Sequence, residues 1–113
     1  MRRRAALMSL LMFAASLSAA DHNVSISCVA TGPAKGPWKW TMFLKGAPDA
    51  IAHVGCVQYV LKGFPNPKRT ICARGSEEHP FSSTGTTWGA FNVSGTVTFD
   101  DKTKVPISYT WRP

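Results

Sequence analysis

The sequence predicts an all-β protein in which short antiparallel strands form a single sandwich or barrel. All nine Gly and all eight Pro lie after residue 20 and interrupt the chain every few residues. This spacing leaves no room for a helix of ordinary length, about a dozen residues. Between the interruptions, apolar residues recur at every second position, which is the pattern of a strand with one buried face.

Six strands follow from this alternation. In chain order they are marked by Val24, Ile26 and Cys28; by Trp38, Trp40, Met42 and Leu44; by residues 54–61; by residues 69–74; by Phe91, Val93, Gly95, Val97 and Phe99; and by Val105, Ile107, Tyr109 and Trp111. The polar residues 100–103 predict a hairpin turn between the last two strands. Residues 75–87 are predicted to contain no strand, and loops on a sandwich commonly carry binding residues.

Residues 1–20 are predicted to be a signal peptide, and residues 21–113 a single domain. Positions 2–4 are all Arg, residues 5–17 are uncharged and mainly apolar, and residues 18–20 are small, as is required before a cleavage site. The apolar run is shorter than the roughly 20 residues of a membrane-spanning helix. The prediction is therefore a bacterial protein that is exported to the periplasm or secreted, with no transmembrane anchor after processing.

The charge balance favours an anionic partner without indicating nucleic acid. The chain carries a net charge of +7, which removal of the three N-terminal Arg would lower to about +4. No run or stripe of Lys and Arg appears, so a nucleic-acid partner is not expected. Lys62, Lys68 and Arg69 would make binding of an anion sensitive to salt, and ordinary solvated surface charge is the alternative explanation.

The three cysteines predict one disulfide and one free thiol in an oxidising compartment. If the third and fourth strands form an antiparallel hairpin centred on Phe64, opposite residues have numbers that add to 128, as Cys56 and Cys72 do. We therefore predict a Cys56–Cys72 disulfide and a free Cys28. A one-residue slip in register would send Cys56 and Cys72 to opposite faces, so a Cys28–Cys72 pair is the alternative.

The sequence contains no recognisable catalytic or metal-binding pattern. His22, His53 and His79 are scattered, and none has the Cys or His spacing of a zinc site. There is no nucleophile elbow and no glycine-rich phosphate loop. The adjacent carboxylates at 77–78 and 100–101 fall in predicted loops, where solvated charge is their usual role. We expect no enzymatic activity, no metal and no cofactor.

Two segments place a large aromatic residue on a loop that Gly or Pro restrains. Phe64 is followed by Pro65-Asn66-Pro67, and Trp88 is followed by Gly89. An aromatic ring exposed on a rigid loop offers a large contact area at small entropic cost, which suits recognition. The alternative is that both rings close the end of the core.

Four segments in order resemble the YEATS domain, most closely its prokaryotic branch. They read WKWTMFL at 38–44, VQYVL leading into FPNPKR at 57–69, TWGAF at 87–91 and VTF at 97–99. The resemblance implies an immunoglobulin-like β-sandwich. For eukaryotic members, it also implies recognition of acylated lysine on histone tails, with the flat acyl amide between aromatic rings.

The resemblance assigns site residues by position. Phe64 and Trp88 match the two aromatic walls of the family's site. The backbone around Trp88 and Gly89 matches the stretch that hydrogen-bonds the acyl carbonyl. The implied site is therefore an aromatic cleft between two end loops.

This chain departs from the reader members at three positions. Leu61 and Gly63 stand where those members carry a His and a Ser or Thr, and Gly36 stands where they carry a further aromatic residue. Trp38 lies close to that last position. The aromatic walls are kept, whereas the polar side chains around them are not.

Two hypotheses for function follow. The first is an exported, non-catalytic binding module that uses the Phe64 and Trp88 loops to hold a peptide, a modified side chain or another envelope ligand. The second is a structural or interaction protein of the cell envelope with no small ligand, whose aromatic residues belong to the core and whose sheet edge pairs with a partner.

Cleavage after Ala20 is the first testable prediction. The order of basic, apolar and small residues is the one that signal peptidase recognises. Intact mass spectrometry of the exported protein should give a chain that starts at Asp21. Recovery of a full-length chain in the membrane fraction would contradict it.

Overall fold

A computed structural model describes residues 22–113, which form two antiparallel sheets packed face to face. The elements are β1 (Val24–Thr31), β2 (Trp38–Gly46), α1 (Pro48–Ala52), β3 (Val54–Val60), β4 (Lys68–Ile71), β5 (Ser83–Thr87), β6 (Phe91–Phe99) and β7 (Lys104–Trp111). One sheet has the strand order β1-β2-β5, and the other has the order β4-β3-β6-β7. The predicted all-β sandwich is confirmed. The predicted signal peptide, residues 1–20, lies outside the described residues.

The core lies between the inner faces of the two sheets. The inner face of β2 contributes Trp40, Met42 and Leu44, and the facing sheet contributes residues such as Val57 and Val97, all of them at most 1% exposed. Neighbouring positions on the same strands are partly or fully exposed. The alternation in the sequence therefore identified the buried face of each long strand, because only that face can leave water.

The prediction that residues 75–87 contain no strand is wrong. Residues 83–87 form β5, which pairs with β2 from Trp38↔Thr87 to Met42↔Ser83. The segment consists of Ser, Thr and Gly, so it carries no contrast between apolar and polar positions. Its central residue, Gly85, faces Trp40, and a Cβ there would overlap the indole ring. Because of this ring, a strand can pair with β2 here only if the residue that faces Trp40 is glycine.

Two further boundaries differ from the prediction. β4 covers Lys68–Ile71 rather than residues 69–74, because it pairs only with the end of β3 and then leaves the sheet. A five-residue helix, α1, occupies Pro48–Ala52 and begins with a proline in its first turn, where the missing N–H costs nothing. This helix is shorter than the helix of about a dozen residues that the sequence excluded.

The register predicted for the β3–β4 hairpin is confirmed. Val57 lies opposite Ile71 and Tyr59 lies opposite Arg69, so paired residue numbers add to 128. Cys56 and Cys72 form a disulfide with their Cα atoms 4.1 Å apart. Cys28 is the free thiol, which rules out the Cys28–Cys72 alternative. Burial raises the pKa of the Cys28 thiol, so this side chain is a weaker nucleophile than an ordinary cysteine.

The connection from β4 to β5 is held by a buried hydrogen bond. The Tyr59 hydroxyl donates to the carbonyl of Phe81 over 2.7 Å. Burial raises the pKa of Tyr59, which keeps the hydroxyl protonated as a donor. Phe81 adopts a left-handed backbone conformation (φ 54°) and its N–H donates to the Arg74 carbonyl. These contacts return the chain to the sheet that contains β2.

The β6–β7 turn predicted at residues 100–103 is confirmed. β6 and β7 pair from Phe91↔Trp111 to Thr98↔Lys104. His53 contacts Asp100 over 2.8 Å, and hydrogen bonding to that carboxylate raises the pKa of His53. Within residues 22–113, no helix is long and apolar enough to cross a membrane.

Removal of the disulfide should destabilise the domain substantially. The bridge joins residues 16 apart, and closing a loop of about that length stabilises a protein by roughly 3 kcal/mol in the chain-entropy model. We expect the double variant Cys56→Ser/Cys72→Ser to lose about that much free energy of unfolding in a urea titration. Cys28→Ser is the matched control and should change it much less. An equal loss in the two variants would be inconsistent with this account.

Candidate functional site

Two loops with aromatic residues lie at one end of the sandwich. The β3–β4 loop carries Phe64, and the β5–β6 loop carries Trp88. The loops meet at Phe91, the first residue of β6, whose ring centroid lies 5.3 Å from that of Phe64. The predicted pair of end loops is therefore formed by the strand order itself.

The β3–β4 loop is closed by backbone hydrogen bonds. The N–H of Leu61 donates to the Pro67 carbonyl over 2.7 Å, and the N–H of Phe64 donates to the Leu61 carbonyl over 3.2 Å. Gly63 has a φ of +87°, which a glycine adopts without strain and other residues rarely adopt. The bend at Gly63 turns Phe64 back toward the core.

Phe64 is half-buried, with its ring held edge-on by two core aromatics. Its centroid lies 5.8 Å from that of Trp40, at an interplanar angle of 82°, and it makes a similar T-shaped contact with Phe91. Edge-to-face contacts of this kind are favourable for aromatic pairs. The ring is therefore fixed in orientation while part of it remains accessible.

Arg69 fastens the β3–β4 loop to the opposite sheet. Its guanidinium donates to the carbonyls of Asn66 and Pro65 in the loop, and to the Ser83 hydroxyl and the Thr84 carbonyl on β5, all at 2.9–3.1 Å. The same group lies 5.6 Å from the centroid of the Trp40 ring. The sequence suggested Arg69 as a cation for an anionic ligand, but the structure commits its donors to the protein.

The β5–β6 loop is a short turn held by one threonine. The hydroxyl of the buried Thr87 donates to the carbonyl of Gly89 over 2.8 Å and accepts from the N–H of Gly89 over 3.3 Å. Between these two residues, the Trp88 side chain is 77% exposed. An exposed indole on an ordered turn offers a large contact area at small entropic cost.

A groove of about 930 Å³ opens beside these loops on the outer face of β6 and β7. Phe64, Thr87 and Ala90 line it at the loop end. Its floor consists of polar outward-facing residues of the two strands, which are Asn92, Ser94, Ser108 and Thr110. No acidic side chain lines the groove among the described residues. The groove offers hydroxyl and amide groups next to an aromatic ring.

The comparisons with known proteins decide the family. A family model for the prokaryotic YEATS domain matches residues 38–111. The chain belongs to this family. None of the curated proteins compared with it matches.

A solved YEATS structure shows the same fold. The structure titled "The Yaf9 YEATS domain Recognizing H3K122suc Peptide" is 24% identical in sequence and superposes with a TM-score of 0.57. The match covers 79% of this chain and 68% of that one. At this identity the likeness establishes the immunoglobulin-like sandwich, as the sequence resemblance implied.

The YEATS domain places its predicted site residues at different depths. Trp88 is exposed, Phe64 is half-buried, and Gly63 and Gly89 lie in the two loops. Leu61 is completely buried, so only its backbone faces the β3–β4 loop. Trp38 is half-buried and packs edge-on against Trp111, with centroids 5.6 Å apart.

Sequence reasoning missed that Arg69 and Thr87 order the loops, and it missed the polar residues on the floor of the groove. Arg69 and Thr87 are polar residues whose partners lie on other segments, so their roles depend on the tertiary structure. The groove residues left one signal in the sequence, since Asn92 and Ser94 alternate with the apolar positions of β6. Within residues 22–113, no cluster of three or more His, Cys, Asp or Glu could hold a metal ion.

The different exposure of the two aromatics predicts different effects on stability. Trp88→Ala should change the free energy of unfolding by less than about 0.5 kcal/mol, as for most surface substitutions. Phe64→Ala removes contacts with Trp40 and Phe91 and should cost about 1–3 kcal/mol, less than for a fully buried Phe. Urea unfolding monitored by circular dichroism measures both. A larger loss for Trp88→Ala than for Phe64→Ala would mean that the indole belongs to the core.

Proposed function

We propose that this YEATS domain is an exported, non-catalytic module that binds an acylated lysine side chain on a peptide or protein of the bacterial envelope. The observation that carries the proposal is the exposed Trp88, held on an ordered turn at the same end of the sandwich as the partly accessible ring of Phe64. The two rings would form the walls of a cleft for a flat amide.

Ordering of both loops before binding supports a recognition role. The Phe64 loop is fixed by Arg69, and the Trp88 turn is fixed by Thr87. Association loses less entropy when the contacting side chains are already immobilised. An exposed aromatic anchor on such a turn is the type of residue that dominates binding energy at interfaces.

The backbone at the Trp88 turn offers one donor for an acyl carbonyl. The N–H of Gly89 is already bonded to the Thr87 hydroxyl. The N–H of Trp88, on the same turn, would be the donor to such a carbonyl. A carbonyl held there would place the rest of the acyl group against the indole.

The departures from reader members define how such a ligand would be held. Leu61 is buried and Gly63 has no side chain, so neither could supply the polar contacts made by the His and the Ser or Thr of those members. Binding would then depend on ring stacking and on the backbone donor. We expect a weaker dependence on polar side chains than in the readers of acylated histones.

If the protein is exported, its ligand must lie outside the cytoplasm. The Cys56–Cys72 disulfide is compatible with an oxidising compartment, and an exported bacterial protein does not encounter histones. The ligand would therefore be an acylated lysine on an envelope protein or peptide. Yaf9, the similar fold, is described as recognising an H3K122suc peptide, which is a modified lysine in another setting.

Replacement of Trp88 tests the proposal directly. We expect Trp88→Ala to weaken binding of acyl-lysine peptides by roughly 5- to 150-fold, because anchor residues of this kind contribute about 1–3 kcal/mol, while the fold is retained. Fluorescence anisotropy with labelled acetyl-lysine and succinyl-lysine peptides measures the affinity, and the unmodified peptide gives the background.

Val29→Ala is the matched control. Val29 is the other large apolar side chain that is exposed among the described residues, at 47% on β1, and its removal should leave binding unchanged. The proposal fails if the wild-type protein binds no acylated peptide more tightly than the unmodified one. It also fails if Trp88→Ala binds as well as the wild type, which would favour the structural alternative.

A further inference from the structure

The outer face of β6 and β7 carries a grid of uncharged polar side chains. Asn92 on β6 lies opposite Thr110 on β7, and Ser94 lies opposite Ser108. Directly opposed residues on antiparallel strands have Cβ atoms about 4.5–5.5 Å apart, and residues two apart on one strand are separated by about 6.8 Å. All four side chains are exposed and line the floor of the groove. The floor therefore presents hydroxyl and amide groups at a regular spacing.

The amide of Asn92 is held in one orientation by its neighbour across the two strands. The hydroxyl of Thr110 donates to Oδ1 of Asn92 over 2.6 Å. Because the amide oxygen accepts this bond, the donors that the side chain offers are the two N–H groups on Nδ2, while the Thr110 oxygen retains lone pairs that can accept. Donor and acceptor thus lie side by side, which suits a ligand with hydroxyls on neighbouring atoms.

Phe64 supplies an apolar wall at the loop end of the groove. Its ring is held edge-on by Trp40 and Phe91, so the wall is fixed before a ligand arrives. A sugar ring has C–H groups on its faces and hydroxyls around its edge. It can therefore pack a face on an aromatic ring while its edge forms hydrogen bonds. Lys62 is the one charged side chain in the lining among the described residues, so most of this surface fits a neutral ligand.

The groove is larger than the acyl group of a modified lysine requires. Its volume of about 930 Å³ is near the upper end of the roughly 300–1,000 Å³ that is typical of ligand sites. The aliphatic stem of a lysine side chain has no donors or acceptors. Laid along the floor, it would displace water from hydroxyl and amide groups without replacing their hydrogen bonds, which is unfavourable. A ligand that fills the floor must carry polar groups of its own.

We propose that the groove on β6 and β7 binds an N-acetylated amino sugar of a cell-envelope polysaccharide. The acetamido group would lie against Phe64, and the ring hydroxyls would form hydrogen bonds with Asn92, Ser94 and Ser108. This inference goes beyond the proposed function. It shares with that function only Phe64 as the wall for a flat amide, because an N-acetyl group on a sugar and one on a lysine are the same kind of secondary amide.

The test compares two trisaccharides that have the same β-1,4-linked backbone. Tri-N-acetylchitotriose carries an acetamido group on each ring, and cellotriose carries a hydroxyl at the same positions. The exported protein, labelled with ¹⁵N, is titrated with each sugar, and the backbone amide signals are followed by NMR. We expect tri-N-acetylchitotriose to shift the signals of β6 and β7 and to bind at least about fivefold more tightly than cellotriose, as the loss of one amide contact predicts.

Two variants assign the binding to the floor of the groove. Asn92→Ala should weaken binding of tri-N-acetylchitotriose roughly two- to tenfold, the effect of losing one hydrogen bond. Gln58→Ala is the matched control, because it removes an amide from an exposed position on β3 that does not line the groove. It should bind as the wild type does. Circular dichroism verifies that both variants are folded.

The outcomes separate this inference from the proposed function. The inference is wrong if neither sugar gives a saturable shift, if cellotriose binds equally well, if the shifts fall on another face, or if Asn92→Ala binds like the wild type. Acetyl-lysine and unmodified peptides are titrated separately. Binding of the acetylated peptide without binding of the sugar leaves the proposed function in place and overturns this inference. Binding of the sugar without binding of the peptide supports this inference and overturns the proposed function.

Discussion

The packing of the Trp40 ring is the constraint on which the rest of this domain depends. The ring is 1% exposed and fills the space between the sheets at the loop end. It lies against Gly85 on β5, where any side chain would overlap it, and it contacts the rings of Phe64 and Phe91. One indole therefore determines which segment can pair with β2 and where the site loop rests.

The same ring explains the position of Arg69. The guanidinium lies above the Trp40 ring and is bonded on one side to the β3–β4 loop and on the other to β5. A planar, weakly hydrated cation can stack on an aromatic face while its edge donates hydrogen bonds. A lysine could not make these contacts together. The loop that carries Phe64 is thus held by the packing of Phe64 against core aromatics and by the hydrogen bonds of Arg69 to the opposite sheet. Its conformation therefore does not depend on a ligand.

The burial of Trp40 also destabilises the core in one respect. The indole N–H of Trp40 is buried without a hydrogen-bond partner among the described residues, which typically costs about 1–3 kcal/mol. The ring contacts and the stacked guanidinium offset that loss by burying a large apolar surface. The disulfide adds stability at the edge of the other sheet, where β4 pairs over only four residues. A small domain of this size has a modest core, so a covalent link at its shortest strand is a useful reinforcement.

The sequence by itself determined the strands that have an apolar and a polar face, the hairpin turn at 100–103, the Cys56–Cys72 pair and the family. The strands, the turn and the disulfide depend on spacing along the chain, which alternation and hairpin register report directly, whereas the family was indicated by the resemblance of four segments in order. Only the tertiary structure decided that residues 83–87 are a strand, that the half-buried Arg69 donates its hydrogen bonds to the protein, and that Trp88 is far more exposed than Phe64. β5 has no apolar alternation to detect, because its pairing is selected by a ring on β2. The hydrogen-bond partners of Arg69 and Thr87 depend on which segments meet across the sandwich. The burial of each aromatic side chain depends on the same contacts, which the local sequence does not indicate.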